Sequence, residues 1–290
     1  MSDIPGEVEP RADADLPIAW GYGDMGKIVL FFLICFTACT AGSISGVGGG
    51  VMIKPLMDAV SGYGVEQISF LSSCTVLAMA VMSLFRSRKS GIRLDFKKGT
   101  SLALGAAVGG ICGKQIFSIA TASVSGAAVS MVQSIVLLLF CIVVFIYTLK
   151  KGKIQPRCVK NIILCGLIGL CLGTMSAFLG IGGGPINVMA ISYLMGTNSK
   201  TTALYSIYTI LFSQVFGIGF MAVSGTIPQV DIFALLAMVF GGLIGAFVGL
   251  IFSRKMRNRH VDRLFLCILG VMGLILGYNI LNSVTHIMGL

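Results

Sequence analysis

From Ile28 to Leu290 the chain is a succession of long apolar stretches separated by short polar breaks. A helix needs roughly 20 such residues to cross about 30 Å of hydrocarbon, and this pattern predicts several crossings. A membrane barrel would instead need segments of about ten residues that alternate apolar and polar. Runs such as Ile135 to Tyr147 do not alternate. The expected fold is an all-α integral membrane protein. Charged residues make up only 11% of the chain and hydrophobic ones 56%, whereas soluble domains carry about 25% charged residues. That shortage excludes an ordinary soluble enzyme, a nucleic-acid-binding domain and a disordered chain.

The formal net charge of +10 reports topology. One cluster of cations is Arg86, Arg88, Lys89, Arg93, Lys97 and Lys98. A second is Lys150, Lys151, Lys153, Arg157 and Lys160, and a third is Arg254, Lys255, Arg257, Arg259 and Arg263. These hold 16 of the 21 Lys and Arg, all in expected inter-helix loops, as cytoplasmic loops do. No soluble basic face remains for nucleic acid. Eight of the nine cysteines lie inside apolar stretches, and Cys158 lies in a basic loop. With no CxxC pair and no nearby His they read as packing residues, with no metal and no cofactor implied. The tail before Ile28 carries six carboxylates against Arg11 and Lys27. It lacks a signal peptide's basic start, and Trp20 and Tyr22 are expected interfacial anchors.

The chain repeats itself. Ser45 to Gly50 (SGVGGG) recurs as Leu179 to Gly184 (LGIGGG), an offset of 134. At that offset Thr40 matches Thr174, Ser72 matches Ser206, Thr75 matches Thr209 and Gly91 matches Gly225. After a two-residue insertion Asp95 matches Asp231, and the ladder Gly105, Gly109, Gly113 matches Gly241, Gly245, Gly249. The division is a polar acidic tail (1–27), a first membrane repeat (28–149), a basic cytoplasmic linker (150–160) and a second membrane repeat (161–290). Expected helices are 28–46, 51–63, 66–86, 99–119 and 127–149, then 161–181, 185–196, 200–222, 231–253 and 264–285. Both the 150–160 and 254–263 loops should be cytoplasmic, so an even number of crossings separates them. The short segment after each glycine run must therefore reverse the chain, by crossing or by re-entering. Either way the halves are inverted and both termini lie outside, an arrangement found in secondary transporters with a midplane site between repeats.

Three consecutive glycines disfavour helix by about 1 kcal/mol each relative to alanine, and unwound backbone at membrane depth must be covered or line a cavity. Pro55 and Pro185 follow, and proline suits the first turn of a new helix. Such a half-helix aims amides and roughly half a positive charge at an anion. The candidate binding set is therefore Gly48, Gly49, Gly50, Gly182, Gly183 and Gly184, with Lys54, Asn187, Ser43, Ser45, Ser72 and Ser206 as nearby polar side chains. No catalytic residues are expected: HExxH, GxSxG and a carboxylate pair at depth are all missing. The glycine ladders read as close helix packing, and Lys114 as a side chain that snorkels to an interface. No carboxylate is evident in the pathway unless Asp58 or Glu66 is drawn inward, which favours facilitated export, or coupling through the anion itself, over proton symport.

The motifs GVGGGVMIKP in the first half and GIGGGPINVM in the second resemble those of the sulfite exporter TauE/SafE family, over about residues 28–285. The glycine runs and Pro55 carry the resemblance. Pro185 stands immediately after the second run, where the family usually places proline several residues later. Leu71-Ser72-Ser73 and Tyr205-Ser206-Ile207 stand where a Gly-Thr-Ser element would be expected. What the resemblance implies is a multi-pass plasma-membrane exporter of sulfite, sulfoacetate or another organosulfonate, with no cofactor and a possible homodimer. The alternative is an anion channel or a uniporter of another substrate.

Overall fold

The computed structural model describes residues 22–87, 95–157, 159 and 161–288, without the side chains of 22–24, 152 and 282–288. Readings that rest on Trp20, the Tyr22 side chain, Arg88, Lys89, Gly91, Arg93, Cys158 and Lys160 lie outside the described residues, as does most of the acidic tail.

Among the described residues the chain forms ten α-helices, one 3-10 turn and no strand. The helices are α1 (Tyr22–Ser45), α2 (Gly50–Val60), α3 (Val65–Ser87), α4 (Phe96–Ser123), α5 (Gly126–Lys150), α6 (Ile162–Phe178), α7 (Pro185–Met195), α8 (Ser199–Val223), α9 (Ile232–Lys255) and α10 (Asn258–Met288). Seven of them, α1, α3, α4, α5, α8, α9 and α10, are long and apolar enough to cross a membrane. Their outer faces carry exposed Leu104, Leu139, Val143, Ile244 and Leu274, which a bilayer would cover.

Several boundaries differ from the sequence expectation for identifiable reasons. The expected 161–181 helix stops at Phe178, because Gly180 takes a left-handed φ of +66°. It is left with 17 residues. At its other end α10 begins at Asn258, so Arg259 and Arg263 lie on a helix and not in a loop. Within the expected basic linker, Lys151–Lys153 form the 3-10 turn. The Arg157 and Val159 amides then donate to the Tyr193 and Leu194 carbonyls at 2.9 and 2.7 Å, tying the linker to the end of α7. The repeat-matched Asp95 and Asp231 do the same job: each carboxylate caps its helix, Asp95 accepting from the Lys97 and Lys98 amides and Asp231 from the Phe233 amide. An anionic cap both satisfies orphan amides and complements the helix dipole.

Packing repeats across the halves with the same register as the sequence. A β-carbon on Gly105, Gly109 or Gly113 of α4 would overlap the carbonyls of Gly166, Leu170 and Thr174 on α6. On α9, Gly241, Gly245 and Gly249 meet the carbonyls of Phe32, Phe36 and Thr40 on α1. Each partner pair is related by the same offset, 134 on one helix and 136 on the other. Each half thus lends its glycine ladder to the first helix of the other. The matched helices α3 and α8 touch and run antiparallel. Lys114 of α4 reaches Ser69 and Ser73 near the start of α3 and lies beside Gly217 near the end of α8. At the other end Ser83 to Ser87 of α3 share a cavity with Lys200 to Ile207 of α8.

Candidate functional site

The two glycine runs meet at the centre of the bundle. Gly46 and Gly48 have φ of +78° and +84°, and their counterparts Gly180 and Gly182 both have +66°. This left-handed region costs an L side chain about 1–2 kcal/mol, so glycine is needed at these positions. A β-carbon on Gly50 would overlap the Ile181 carbonyl, and one on Gly183 would stand 3.4 Å from the Val47 carbonyl. The runs therefore lie against each other, all six of Gly48, Gly49, Gly50, Gly182, Gly183 and Gly184 buried.

Each run is also clasped by the third helix of the opposite half. Gly46 packs on Ala203 and Gly48 on Ile210 of α8, while Gly180 packs on Ser69 and Gly182 on Val76 of α3. Residues three and four apart share a helix face. Ser206, between Ala203 and Ile210, therefore faces the first break. Ser72, between Ser69 and Val76, faces the second. Both are 0% exposed, and neither hydroxyl has a hydrogen-bond partner.

New helices spring from the breaks. Gly49 caps α2 with no side-chain help, and its own amide donates to Met79 Sδ at 3.3 Å. The Gly50 and Val51 amides have no acceptor among the described residues. Gly184 is the extended cap of α7, and Pro185 is its first residue. One turn on, Asn187 is 1% exposed with Oδ1 unpartnered. Gln214 Oε1 is unpartnered too, and Gln214 Nε2 would stand 3.1 Å from a β-carbon on Gly182. Buried polar atoms are normally satisfied, and an orphan costs about 1–3 kcal/mol. Four such side chains around a double glycine break form the polar signature of the site.

The remaining candidates are engaged elsewhere. Lys54 is 3% exposed, but its Nζ donates to Asp58 Oδ2 at 3.0 Å, so its charge is already matched. This also draws Asp58 inward. Pro55 stands inside α2 and not in its first turn, and its carbonyl accepts from Asn279 Nδ2 at 2.9 Å. Ser43 and Ser45 spend their hydroxyl protons on the Thr40 and Ala41 carbonyls at 3.0 and 2.9 Å. Ser45 lines a small gap with Lys151, Ser199 and Asp262, and Ser43 lines a larger cavity with Arg86, Lys200 and Arg254. Lys114 does not snorkel: it is 2% exposed and donates to Ser69 and Ser73 at 3.3 and 3.0 Å. Sequence reasoning passed over Ser83, Arg86, Lys200 and Arg254. Lys200 alone carried a signal, as a cation outside the three basic clusters. Among the described residues no three His, Cys, Asp or Glu gather as a metal cluster would, and the eight described cysteines are unpaired.

Residues 31–276 match the family profile described as sulfite exporter TauE/SafE. Relatives share about a quarter of their residues with this chain over most of their length. A probable membrane transporter protein of Methanocaldococcus jannaschii is 26% identical, over 84% of this chain and 93% of its own. The probable membrane transporter protein YunE of Bacillus subtilis is 24% identical, over 85% of this chain and 96% of its own. A probable membrane transporter protein of Haemophilus influenzae is 24% identical over 66% of this chain and 71% of its own. No solved structure matches the chain.

Proposed function

Since the chain belongs to the sulfite exporter TauE/SafE family and is a multi-pass membrane transporter, we propose that it exports a small sulfur-containing oxyanion or organosulfonate across the plasma membrane. The anion is held where the two glycine breaks meet. The uncapped amides at the start of α2, the Ser72 and Ser206 hydroxyls and the Asn187 amide supply hydrogen bonds. The observation that carries this reading is the matched pair Ser72 and Ser206, both fully buried, both unpartnered and each facing a break. The two serine hydroxyls and the α2 amides are donors, which suit an oxyanion whose several oxygens accept many hydrogen bonds at once.

In this reading 28–149 and 161–290 are inverted membrane repeats joined by the 150–160 linker. The antiparallel course of the matched helices α3 and α8, and the exchanged glycine ladders, support the inversion. With the basic clusters on the cytoplasmic side, the breaks lie at mid-depth, and rocking one repeat on the other opens them alternately.

The test is uptake of labelled sulfite, sulfoacetate and thiosulfate into proteoliposomes by wild type and by the Ser72→Ala, Ser206→Ala double variant. Loss of two hydrogen bonds to an anion, at about 1.5–3 kcal/mol each, raises KM about a hundredfold or more. Saturable flux with that change is the expected result. Unchanged KM in a folded double variant removes the serines from the site.

A further inference from the structure

A cavity of about 370 Å³ lies to one side of the glycine core, and its polar lining includes Ser43, Ser83, Arg86, Ser87, Lys200, Ser253 and Arg254. Among the described residues no carboxylate lines it. The Arg86 guanidinium sits 3.9 Å from the centroid of the Phe247 ring. Arg254 Nη2 donates to the Arg86 carbonyl at 2.9 Å, and Lys200 Nζ to the Arg254 carbonyl at 3.5 Å. Rings and carbonyls fix these side chains without cancelling their charge. None of the three is in an ion pair among the described residues; the two pairs there are Lys54 with Asp58 and Lys151 with Asp262. Two donors at the cavity are also orphaned, Arg86 Nε and the hydroxyl of Ser83, which is 0% exposed. Three cations sharing one cavity repel each other, and an anion both relieves that repulsion and satisfies the orphans.

The internal repeat supplies a control. A second cavity of about 330 Å³ is lined by Glu66, Lys114, Phe117, Ser118 and Met221 among others. At the repeat offsets these positions correspond to Lys200, Leu250, Ser253, Arg254 and Ser87 of the first. The two cavities are the same place in the two halves, on opposite ends of α3 and α8. Their chemistry has diverged: the second holds one carboxylate and one lysine, the latter already held by Ser69 and Ser73. The positive-inside rule accounts for cations at this end but not for the orphaned Arg86 Nε and Ser83 hydroxyl beside them, which have no counterpart among the described residues of the second cavity. Arg86 and Arg254 open two of the three basic clusters, which places the cationic cavity on the cytoplasmic side.

We propose that the Arg86–Lys200–Arg254 cavity is the cytoplasmic loading site for the transported anion, and that it favours solutes carrying two negative groups over those carrying one. Two guanidinium forks match two planar or trigonal oxyanions, and a singly charged solute leaves most of the repulsion in place. The proposal deepens the transport reading above and rests on it.

The test is flux of sulfoacetate, with two anionic groups, and of methanesulfonate, with one, through proteoliposomes of wild type, Lys200→Gln, Arg254→Gln and Arg254→Lys. The Lys200→Gln variant loses only a 3.5 Å contact, and thermal unfolding confirms that it folds. Expected is a KM for sulfoacetate raised about tenfold in each Gln variant, a much smaller change for methanesulfonate, and partial recovery in Arg254→Lys. Unchanged KM, or an equal rise for both solutes, overturns the proposal. If wild type moves neither solute, the transport reading is what fails. Calorimetric binding of sulfoacetate to the purified protein then decides the cavity on its own: binding lost in Arg254→Gln sustains it, and no binding by wild type overturns it.

Discussion

A lysine four residues after a glycine run looks in sequence like an anion ligand, and its surroundings decide otherwise. Lys54 and Asp58 are one helical turn apart, with side chains 3% and 11% exposed and 3.0 Å between their charged atoms. Removing one member of a buried pair strands the other and costs about 3–5 kcal/mol, whereas replacing both by apolar groups is often neutral. We expect Asp58→Asn to lower the unfolding temperature in detergent markedly, and Lys54→Met with Asp58→Leu to restore most of it. If the single and double variants melt alike, the pair contributes nothing. The residue types of the site were legible because the repeat marked Ser72 and Ser206 as a matched pair. Their orphaned state was not, because it depends on which neighbours the fold withholds from them. Gln214 shows the same limit: it reads as one more polar residue on an apolar helix until Gly182 is found beside its amide.

Helices in this protein are positioned by glycine, and the spacing of the ladders announced that before any coordinates. What spacing could not give was the partner. Gly105, Gly109 and Gly113 pack on the first helix of the other half, because two interlocked repeats bring α4 against α6 and α9 against α1. Lengths were less legible: the apolar run continues to Ile181, and the stop signal is the single Gly180, whose left-handed φ ends α6 at Phe178. The ladder contacts make a sharp contrast with other glycines in long helices. A β-carbon on Gly109 would overlap the Leu170 carbonyl, while one on Gly219 has open space. Overpacking costs about 1–3 kcal/mol, and replacing an unhindered helical glycine by alanine gains about 0.5–1 kcal/mol. Gly109→Ala should therefore reduce the folded yield on size-exclusion chromatography, and Gly219→Ala should hold or raise it. Equal tolerance at both positions would show that α4 and α6 are not in close contact.

At the scale of the whole molecule, in the proposed transport reading the two cavities are the mouths of a path through the glycine breaks. Ser253 lines the cationic mouth and Ser118 the opposite one. If the repeats rock about the glycine breaks, opening one mouth closes the other, because both are formed between the same antiparallel pair, α3 and α8. A ligand that binds one state better shifts the population toward it, and the two mouths must then respond in opposite directions. Single cysteines at 118 and 253, placed in a background without the native cysteines, report this through their rates of reaction with a charged maleimide that does not cross membranes. Sulfoacetate should slow labelling at one position and hasten it at the other, about twofold to tenfold for a conformational preference of roughly 0.4–1.4 kcal/mol. Reagent added only from the cytoplasmic side should reach 253, and reagent added only outside should reach 118. A channel predicts something different: both mouths stay open together, and an occupying anion slows both. The paired rates thus separate a rocking carrier from a continuous pore in a single preparation.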